Sequence, residues 1–327
     1  MAVALAAFAL LFLFLAGCAA SVQKGQPIAI ALENWPPEWY HYIAQENGYF
    51  NQQGVDVELL KFEDYGASLD AFMTNKNIGC ISVSGNDLFS LRENGVDARL
   101  VLLSDRSEGA DSIVARGDIT SIEELAGKRI GVEGFNSFSN MFVVNMLEKH
   151  NLSETDVRFY DVKVVDVPRA IEEGRLDAGH TYEPATAEAL SLGQKKLGDS
   201  RELPSGLIFT GLACRESLLR ERPKDVQMMV NAWFMAKKFE SENKVAAHSI
   251  MANANKVSLE ELETGLAGNY LYDLEGNRQA LAEGNGQGTV AWSLGMMGKF
   301  LLERGQMSGD LPPDKFMDSR FVQGAID

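Results

Sequence analysis

Short apolar blocks alternate with amphipathic segments along the first third of the chain. The apolar blocks predict strands at residues 28–35, 55–62, 79–85 and 98–104. The segments between them predict helices at residues 37–50, 67–75 and 86–95. Strands and helices that alternate in this way form a largely parallel sheet covered by helices, with right-handed connections.

The same rhythm starts again in the middle of the chain and then gives way to helices. Thr120 or Ser121 is expected to cap a first helical turn. Further elements are predicted as strands at 129–134 and 157–163, a helix at 137–151, and a helix, strand and helix within 167–193. Beyond Phe209 the pattern predicts mainly helices, at residues 225–243, 258–268 and 290–306. Because the chain is about twice as long as a typical single domain, we expect two α/β lobes.

The chain begins with an apolar run that stops abruptly at the sequence Leu-Ala-Gly-Cys, residues 15–18. The run is shorter than the roughly 20 residues of a bilayer span and has the length of a signal-peptide apolar region. The stretch resembles a bacterial lipobox, which implies that Cys18 carries a thioether lipid and that residues 1–17 are a lipoprotein signal peptide. The alternative is a plain signal peptide or anchor with a chance cysteine.

The acidic character of the chain limits its partners. The formal net charge is -16, which disfavours nucleic-acid binding because that needs clustered Lys and Arg. The same charge disfavours broad adhesion to anionic lipid, so we expect any membrane attachment to come from the lipid alone.

The remaining cysteines, Cys80 and Cys214, lie in apolar surroundings and are expected to be buried. They are either free small hydrophobic residues or a disulfide pair, and the sequence does not decide between these. The sequence has no CxxC motif and no His and Cys cluster at metal-ligand spacing. We therefore expect no metal and no cofactor.

Four stretches, in order and spacing, cover nearly the whole chain after the leader: residues 43–59, 110–139, 174–190 and 314–322. The first ends a helix in Gly-Tyr-Phe before a second glycine and a strand. The third places Tyr-Glu-Pro between a strand and a helix. Together they resemble the nitrate, sulfonate and taurine class of solute-binding proteins of ABC importers, a class that also resembles proteins of thiamine-precursor chemistry.

The resemblance implies an α/β structure with the type II periplasmic-binding-protein fold, in which two α/β lobes are joined by two chain crossings. Lobe one would comprise residues 27–114 plus 212–327, and lobe two residues 115–211. The protein would be the extracytoplasmic binding component of an ABC importer, lipid-anchored in the periplasm or on the outer face of the cell membrane. Its partners would be a permease and ATPase complex and a small anionic or zwitterionic solute, captured between the lobes without chemistry.

Ligands of open α/β sheets bind beyond the carboxyl ends of the strands, and helix N-termini there suit anions. The candidate ligand-binding residues in these loops are Asn34, Trp35, Ser82, Ser84, Asn86, Asp111, Asn136, Ser137, Ser139, Tyr182 and Glu183. Asn136, Ser137 and Ser139 form the strongest group, because the helix that they begin has no acid in its first turn and so leaves room for an external anion.

Other residues near these loops have different expected roles. Trp39 and Tyr40 are expected to pack between the lobes, and His180 is expected in the core. Asp105 and Arg106 are expected to form surface ion pairs. For Asp111 and Glu183 the sequence leaves open a role in holding an ammonium group, so that a zwitterion or a cationic heterocycle is as plausible a ligand as nitrate.

Two other functions remain open. Trp35 and Tyr182 would form a ring sandwich if the ligand were a pyrimidine precursor of thiamine. An enzyme of thiamine-precursor chemistry on the same fold is a further alternative, although the sequence contains no GxSxG, HExxH, P-loop or strand-helix GxGxxG motif.

Overall fold

A computed structural model describes residues 25–326 except 63, 308, 310 and 311. The predicted leader and Cys18 lie outside the described residues. The strands are β1 (Ile28–Leu32), β2 (Val57–Lys61), β3 (Ile78–Ser84), β4 (Ala98–Ser107), β5 (Ser112–Ala115), β6 (Arg129–Val132), β7 (Arg158–Asp161), β8 (Ala178–Thr181), β9 (Lys195–Asp199), β10 (Phe209–Arg215) and β11 (Asn269–Leu271).

Helices connect and cover these strands. They are α1 (Tyr40–Glu46), α2 (Tyr49–Gln53), α3 (Tyr65–Thr74), α4 (Asp87–Glu93), α5 (Phe138–Lys149), α6 (Val167–Glu172), α7 (Ala185–Ser191), α8 (Glu216–Glu221), α9 (Pro223–Glu242), α10 (Lys244–Asn255), α11 (Leu259–Leu266), α12 (Leu274–Ala280), α13 (Val290–Glu303) and α14 (Arg320–Gln323). Within the described ranges, no helix combines the length and apolar character that a bilayer crossing requires.

The first sheet has six strands in the order β11-β4-β10-β3-β1-β2. Strand β1 pairs in parallel with β2 and β3, whereas β10 pairs antiparallel with both β3 and β4. The prediction of a largely parallel sheet is therefore wrong for this sheet. The reason is that β10 enters between two strands that run the other way, after the chain has formed the second sheet.

The second sheet has five strands in the order β7-β6-β8-β5-β9. Strand β6 pairs in parallel with β7 and β8, and β5 runs antiparallel to β8 and β9. We call the parts of the chain built on the two sheets the first lobe and the second lobe. The chain passes from one to the other between β4 and β5 and returns between β9 and β10.

Each lobe has its own apolar core. The core of the first lobe contains the fully buried side chains of Trp233, Tyr40 and Phe72, and that of the second contains Ile130 and Phe142. Burial of such large side chains is the main favourable contribution to folding, at about 1.5–3 kcal/mol for each aliphatic or phenyl side chain.

A disulfide between Cys80 and Cys214 joins β3 to β10 in the first sheet. The two cysteines face each other in the register of these antiparallel strands. The structure therefore selects the paired alternative that the sequence left open. Such a bond restricts the unfolded chain over a separation of 134 residues, which stabilises the fold in the chain-entropy description.

The close approach of β10 and β4 requires glycine at position 211, because a Cβ there would overlap the carbonyl oxygen of Leu102. We predict that Gly211→Ala lowers the free energy of unfolding by about 1–3 kcal/mol, as measured by urea denaturation. The control is Gly295→Ala on the exposed side of α13, where a Cβ meets nothing within 4 Å. That substitution is expected to be neutral or to stabilise by up to about 1 kcal/mol. Equal stability of the Gly211 variant and the parent would contradict the packing described here.

Candidate functional site

A narrow cavity of about 40 Å³ lies between the two lobes, and we call it the central cavity. It lies where the carboxyl ends of β1, β3, β4 and β8 meet, the position at which open α/β sheets bind ligands. The residues that line it are Glu33, Trp35, Glu38, Tyr65, Ser84, Asp105, Ser107, Asp111, Phe138, Tyr182, Ile208 and Thr210.

Two aromatic pairs cross the cavity from lobe to lobe. Trp35 of the first lobe meets Tyr182 of the second with ring centroids 5.5 Å apart and an interplanar angle of 78°. Tyr65 meets Phe138 in the same way, at 6.4 Å and 84°. Edge-to-face contacts of this kind are favourable in themselves. The lobes are thus in contact around the cavity, which is the closed arrangement of the cleft.

Four carboxyl groups line the cavity, and the first two belong to Asp105 and Asp111. Asp105 accepts hydrogen bonds from Trp35 Nε1 at 3.2 Å and from the hydroxyl groups of Ser104 and Thr210. Asp111 Oδ1 lies 2.8 Å from Nε2 of His180. Both carboxyls are therefore fixed by neighbouring groups at the cavity wall.

The prediction that Asp105 forms a surface ion pair is wrong. Asp105 is only 1% exposed, because β4 continues to Ser107, three residues beyond the predicted end of this strand. Arg106 does pair on the surface, with Glu108 at 2.7 Å. The prediction that His180 is buried is confirmed, and its ring lies directly behind Asp111.

Glu33 and Glu38 come from the loop and short 3-10 helix after β1. The backbone N–H of Glu33 donates to Glu38 Oε2 at 3.2 Å, so the two acids are adjacent. The short helix brings Glu38 back toward the strand end, and Trp39 Nε1 fixes the loop by donating to the Glu33 carbonyl oxygen at 3.2 Å. Trp39 and Tyr40 are both buried in the core of the first lobe rather than packed between the lobes, so that prediction is wrong.

The withdrawal of these acids from water changes their ionisation. Desolvation, followed by the charges of Glu133 and Asp64, raises the pKa of Glu33 to about 8. Desolvation and the charge of Glu33 raise the pKa of Glu38 well above its ordinary value. Desolvation raises the pKa of Asp105 to about 6. The cavity therefore holds protons at pH values where exposed carboxyls are ionised.

The predicted site residues fall into separate groups in the structure. Trp35, Ser84, Asp111 and Tyr182 line the central cavity. Asn34 is exposed beside it.

Two of the predicted serines lie behind the cavity wall. Ser82 is buried in β3. Ser139 is buried beneath the surface of the cavity, where its Oγ lies 2.8 Å from Nδ1 of His180. Neither hydroxyl lines the central cavity.

The other predicted residues lie outside the central cavity. Asn86, Asn136 and Ser137 line a wider groove between the lobes, of about 710 Å³. In that groove the Asn86 side chain donates to the Asn136 carbonyl oxygen at 2.9 Å and so links the lobes. Glu183 lines a third cleft and accepts from the backbone N–H of Ala187 at 3.0 Å.

The N-terminus of α5, expected to accept an external anion, has internal partners. Ser137 caps the helix by accepting from the backbone N–H of Asn140 at 3.3 Å. The nearby N–H of Gly134 donates to the Asp161 carboxylate at 2.9 Å. Glu133 adds a further carboxyl group, of which Oε2 has no hydrogen-bond partner among the described residues. The Asp161 carboxylate and the Ser137 hydroxyl thus already occupy backbone donors at this helix end.

Sequence reasoning missed several residues of the cavity. These are Glu33, Glu38, Tyr65, Asp105, Ser107, Phe138, Ile208 and Thr210. Acids directly after the apolar strand β1 are a usable signal for Glu33. No local signal marks Thr210, because it reaches the cavity only through the insertion of β10 between β3 and β4.

We predict that the ligand-free protein loses stability as the pH rises from about 6.5 to 8, above the range in which the lowered pKa of the buried His41 has the opposite effect. In this range the folded state retains a proton on Glu33 that the unfolded chain releases, and one such proton lowers stability by up to about 1.4 kcal/mol for each pH unit. Thermal denaturation across this range measures the slope. Glu33→Gln should make it less steep, whereas Glu283→Gln, which removes an exposed acid, should not. A parent slope that is flat or rises with pH would contradict the assignment.

Comparison with known proteins places these observations in a family. The chain is 24% identical over 162 residues to the taurine-binding periplasmic protein of Escherichia coli K12, covering 49% of this chain and 50% of that protein. It is 26% identical over 153 residues to the 4-amino-5-hydroxymethyl-2-methylpyrimidine phosphate synthase THI13 of Saccharomyces cerevisiae, covering 45% and 44%. The chain thus matches about half the length of these curated relatives, or less.

Solved structures resemble the whole described fold. A zinc-bound ligand-binding component of an ABC-type import system from Staphylococcus aureus has a TM-score of 0.75 at 15% identity, covering 92% of this chain and 99% of that one. The periplasmic aliphatic sulphonate-binding protein SsuA of Escherichia coli has a TM-score of 0.72 at 13% identity, covering 91% and 99%. The predicted periplasmic-binding-protein fold is confirmed, as is the resemblance drawn from the four sequence stretches. The NMT1/THI5-like family model matches residues 39–247, more than half of the chain, and the chain belongs to this family.

Proposed function

We propose that the chain is the extracytoplasmic substrate-binding component of an ABC importer and captures a small solute in the central cavity. The observation that carries this proposal is a closed cavity at the strand ends, walled by residues from both lobes. Binding without chemistry is consistent with the solved relatives that are binding proteins. The permease and ATPase complex would recognise the closed form.

The solute class that we propose is a small sulfonate or zwitterion such as taurine. The taurine-binding relative supports it. A second candidate, a pyrimidine precursor of thiamine, is supported by the aromatic walls of Trp35 and Tyr182. The relative that is named as a pyrimidine phosphate synthase points to the same chemistry.

Three hydrogen-bonded side chains in and behind the cavity wall are relevant to the alternative that the protein is an enzyme. Ser139, His180 and Asp111 carry the residue types of a hydrolase triad. However, the Ser139 hydroxyl is fully buried, accepts from the backbone N–H of Glu133 at 3.0 Å, and does not line the cavity. We therefore assign Ser139 and His180 to positioning the Asp111 carboxyl.

Closure would work through differential affinity. The lobes touch through the Asn86 link, the ion pair of Lys163 with Asp64 at 3.1 Å, and the aromatic pairs. The exposed ion pair is worth about 1 kcal/mol or less, and aromatic pairs of this geometry contribute about 0.5–1.5 kcal/mol each. A solute that contacts both lobes shifts the equilibrium toward closure by the difference between its affinities for the two forms.

We further propose that the protein is anchored through a lipid on Cys18, in the periplasm or on the outer face of the cell membrane. The lipobox-like sequence at residues 15–18 supports this. Mass spectrometry of the membrane fraction of a bacterial host should find Cys18 as the lipid-modified N-terminal residue. Cys18→Ala should release the protein from the membrane, and an unmodified Cys18 in the parent would contradict the anchor.

The function is tested by a thermal-shift panel of nitrate, sulfonates, taurine, pyrimidines and short carboxylates, since a ligand of the folded state raises the apparent melting temperature. At least one solute should do so, and Trp35→Ala should weaken its binding about tenfold or more. Tyr160→Ala is the matched control, because this exposed ring on β7 does not line the cavity. Absence of any shift across the panel, or undiminished binding by the Trp35 variant, would contradict the proposal.

A further inference from the structure

The central cavity has an unbalanced set of charges. Its described lining contains four acids, Glu33, Glu38, Asp105 and Asp111, but neither Lys, Arg nor His. The imidazole of His180 lies behind Asp111 rather than at the cavity surface. A solute in the cavity therefore meets carboxyl groups directly and meets no cationic side chain.

The uncharged polar groups of the lining offer acceptors as well. Ser84 is 4% exposed and lines the cavity, yet its Oγ has no hydrogen-bond partner among the described residues. The hydroxyl hydrogen of Tyr65 is already engaged, because it donates to Asp87 at 2.7 Å. The Thr210 hydroxyl donates to Asp105. The hydroxyl hydrogens of Tyr65 and Thr210 are thus occupied, whereas the Ser84 hydroxyl is able to accept from a ligand.

The ionisation of the acids agrees with this geometry. Carboxyl groups that lose water without gaining a cation favour their neutral form, and the raised pKa values of Glu33, Glu38 and Asp105 follow that rule. A cationic ligand would supply the missing charge and favour the ionised carboxylates. A ligand that is only an anion would instead favour the protonated carboxyls and would supply no compensating positive charge.

Aromatic rings also line the central cavity beside the carboxyl groups. Trp35 and Tyr182 form one wall of the cavity, where they meet edge to face with centroids 5.5 Å apart. Trp and Tyr faces attract cations, and more strongly so when water is excluded. Carboxylates and aromatic rings together are a recognised combination for a positively charged nitrogen. A metal ion fits less well, because the described residues form no cluster of three or more ligating groups placed to hold one.

We propose, on the basis of the proposed function, that the central cavity selects solutes by a positively charged or protonatable nitrogen, which the carboxyl groups of Glu33 and Asp105 bind beside the rings of Trp35 and Tyr182. Among the proposed solutes this favours taurine and aminopyrimidines over nitrate and simple alkanesulfonates. The positive nitrogen, rather than the sulfonate, is then the group that the cavity recognises.

Matched pairs of solutes isolate the nitrogen. Taurine is compared with isethionate, in which a hydroxyl replaces the ammonium group. In the second pair, 4-amino-5-hydroxymethyl-2-methylpyrimidine is compared with its 4-oxo analogue. Isothermal titration calorimetry is performed on the parent, Glu33→Gln and Glu283→Gln, with folding checked by circular dichroism. For whichever pair binds, we expect the amine to bind at least tenfold more tightly than its partner without the amine. Glu33→Gln should reduce this preference about tenfold, and the exposed control Glu283→Gln should leave it unchanged.

Other outcomes separate this inference from the proposed function. Three outcomes would overturn the inference but not the proposed function. These are equal binding of the two members of a pair, a best ligand of the panel that has no protonatable nitrogen, and a preference that Glu33→Gln leaves unchanged. Binding of Zn²⁺ or Ca²⁺ alone at the cavity, abolished by Glu33→Gln and without amine binding, would overturn it in favour of a metal site. Failure of every solute to bind would refute the proposed function and the inference with it.

Discussion

Carboxyl groups confined in a narrow cavity between two lobes are the constraint on which the rest of the site depends. An ionised carboxylate that loses its water without a partner is strongly unfavourable. In the described structure Glu33 and Asp105 relieve this cost by favouring protonation, and Asp111 does so by its contact with His180. A solute that brings hydrogen-bond donors and positive charge would offset the same desolvation cost by stabilising the ionised carboxylates. Binding of a solute in the cavity therefore depends on the charge that the solute carries.

The fold produces this arrangement through its topology. Strands β1, β3 and β4 of the first sheet end at the cleft, and β10 returns from the second lobe to run between β3 and β4. Its first residues therefore lie beside the ends of those strands, where Thr210 donates to Asp105. The second lobe contributes Tyr182 after β8 and Phe138 at the start of α5. Neither lobe alone forms a cavity with this lining.

The sequence predicts the general architecture well and the site only in part. The alternation of apolar strands and helices is local, so it predicts two α/β lobes, and the strand-end rule leads to Trp35, Ser84 and Tyr182. The direction of β10 depends on a partner distant in sequence, and a local pattern cannot show it. Asp105 was misassigned because the end of β4 was predicted three residues early.

The expected anion site at α5 shows a second limit of the sequence. The absence of acids in its first turn is a true local feature, but Asp161 approaches Gly134 from a strand 27 residues further along. Tertiary neighbours of this kind decide the charge of a helix end. They become visible only when the strands are placed side by side. The predicted lobe boundaries at residues 114 and 212 and the roles of the individual site residues remain predictions.

The central claim is that a solute lies between the lobes with its positive nitrogen against the carboxyl groups. The most direct measurement is a crystal structure of the protein with the solute that raises its melting temperature most. The account predicts ligand density in the central cavity beside the Trp35 and Tyr182 rings, with a nitrogen within hydrogen-bonding distance, about 2.7–3.2 Å, of a carboxyl oxygen of Glu33 or Asp105. Ligand density in the groove of Asn86 and Asn136 instead, or an anionic group facing those carboxyls, would contradict it.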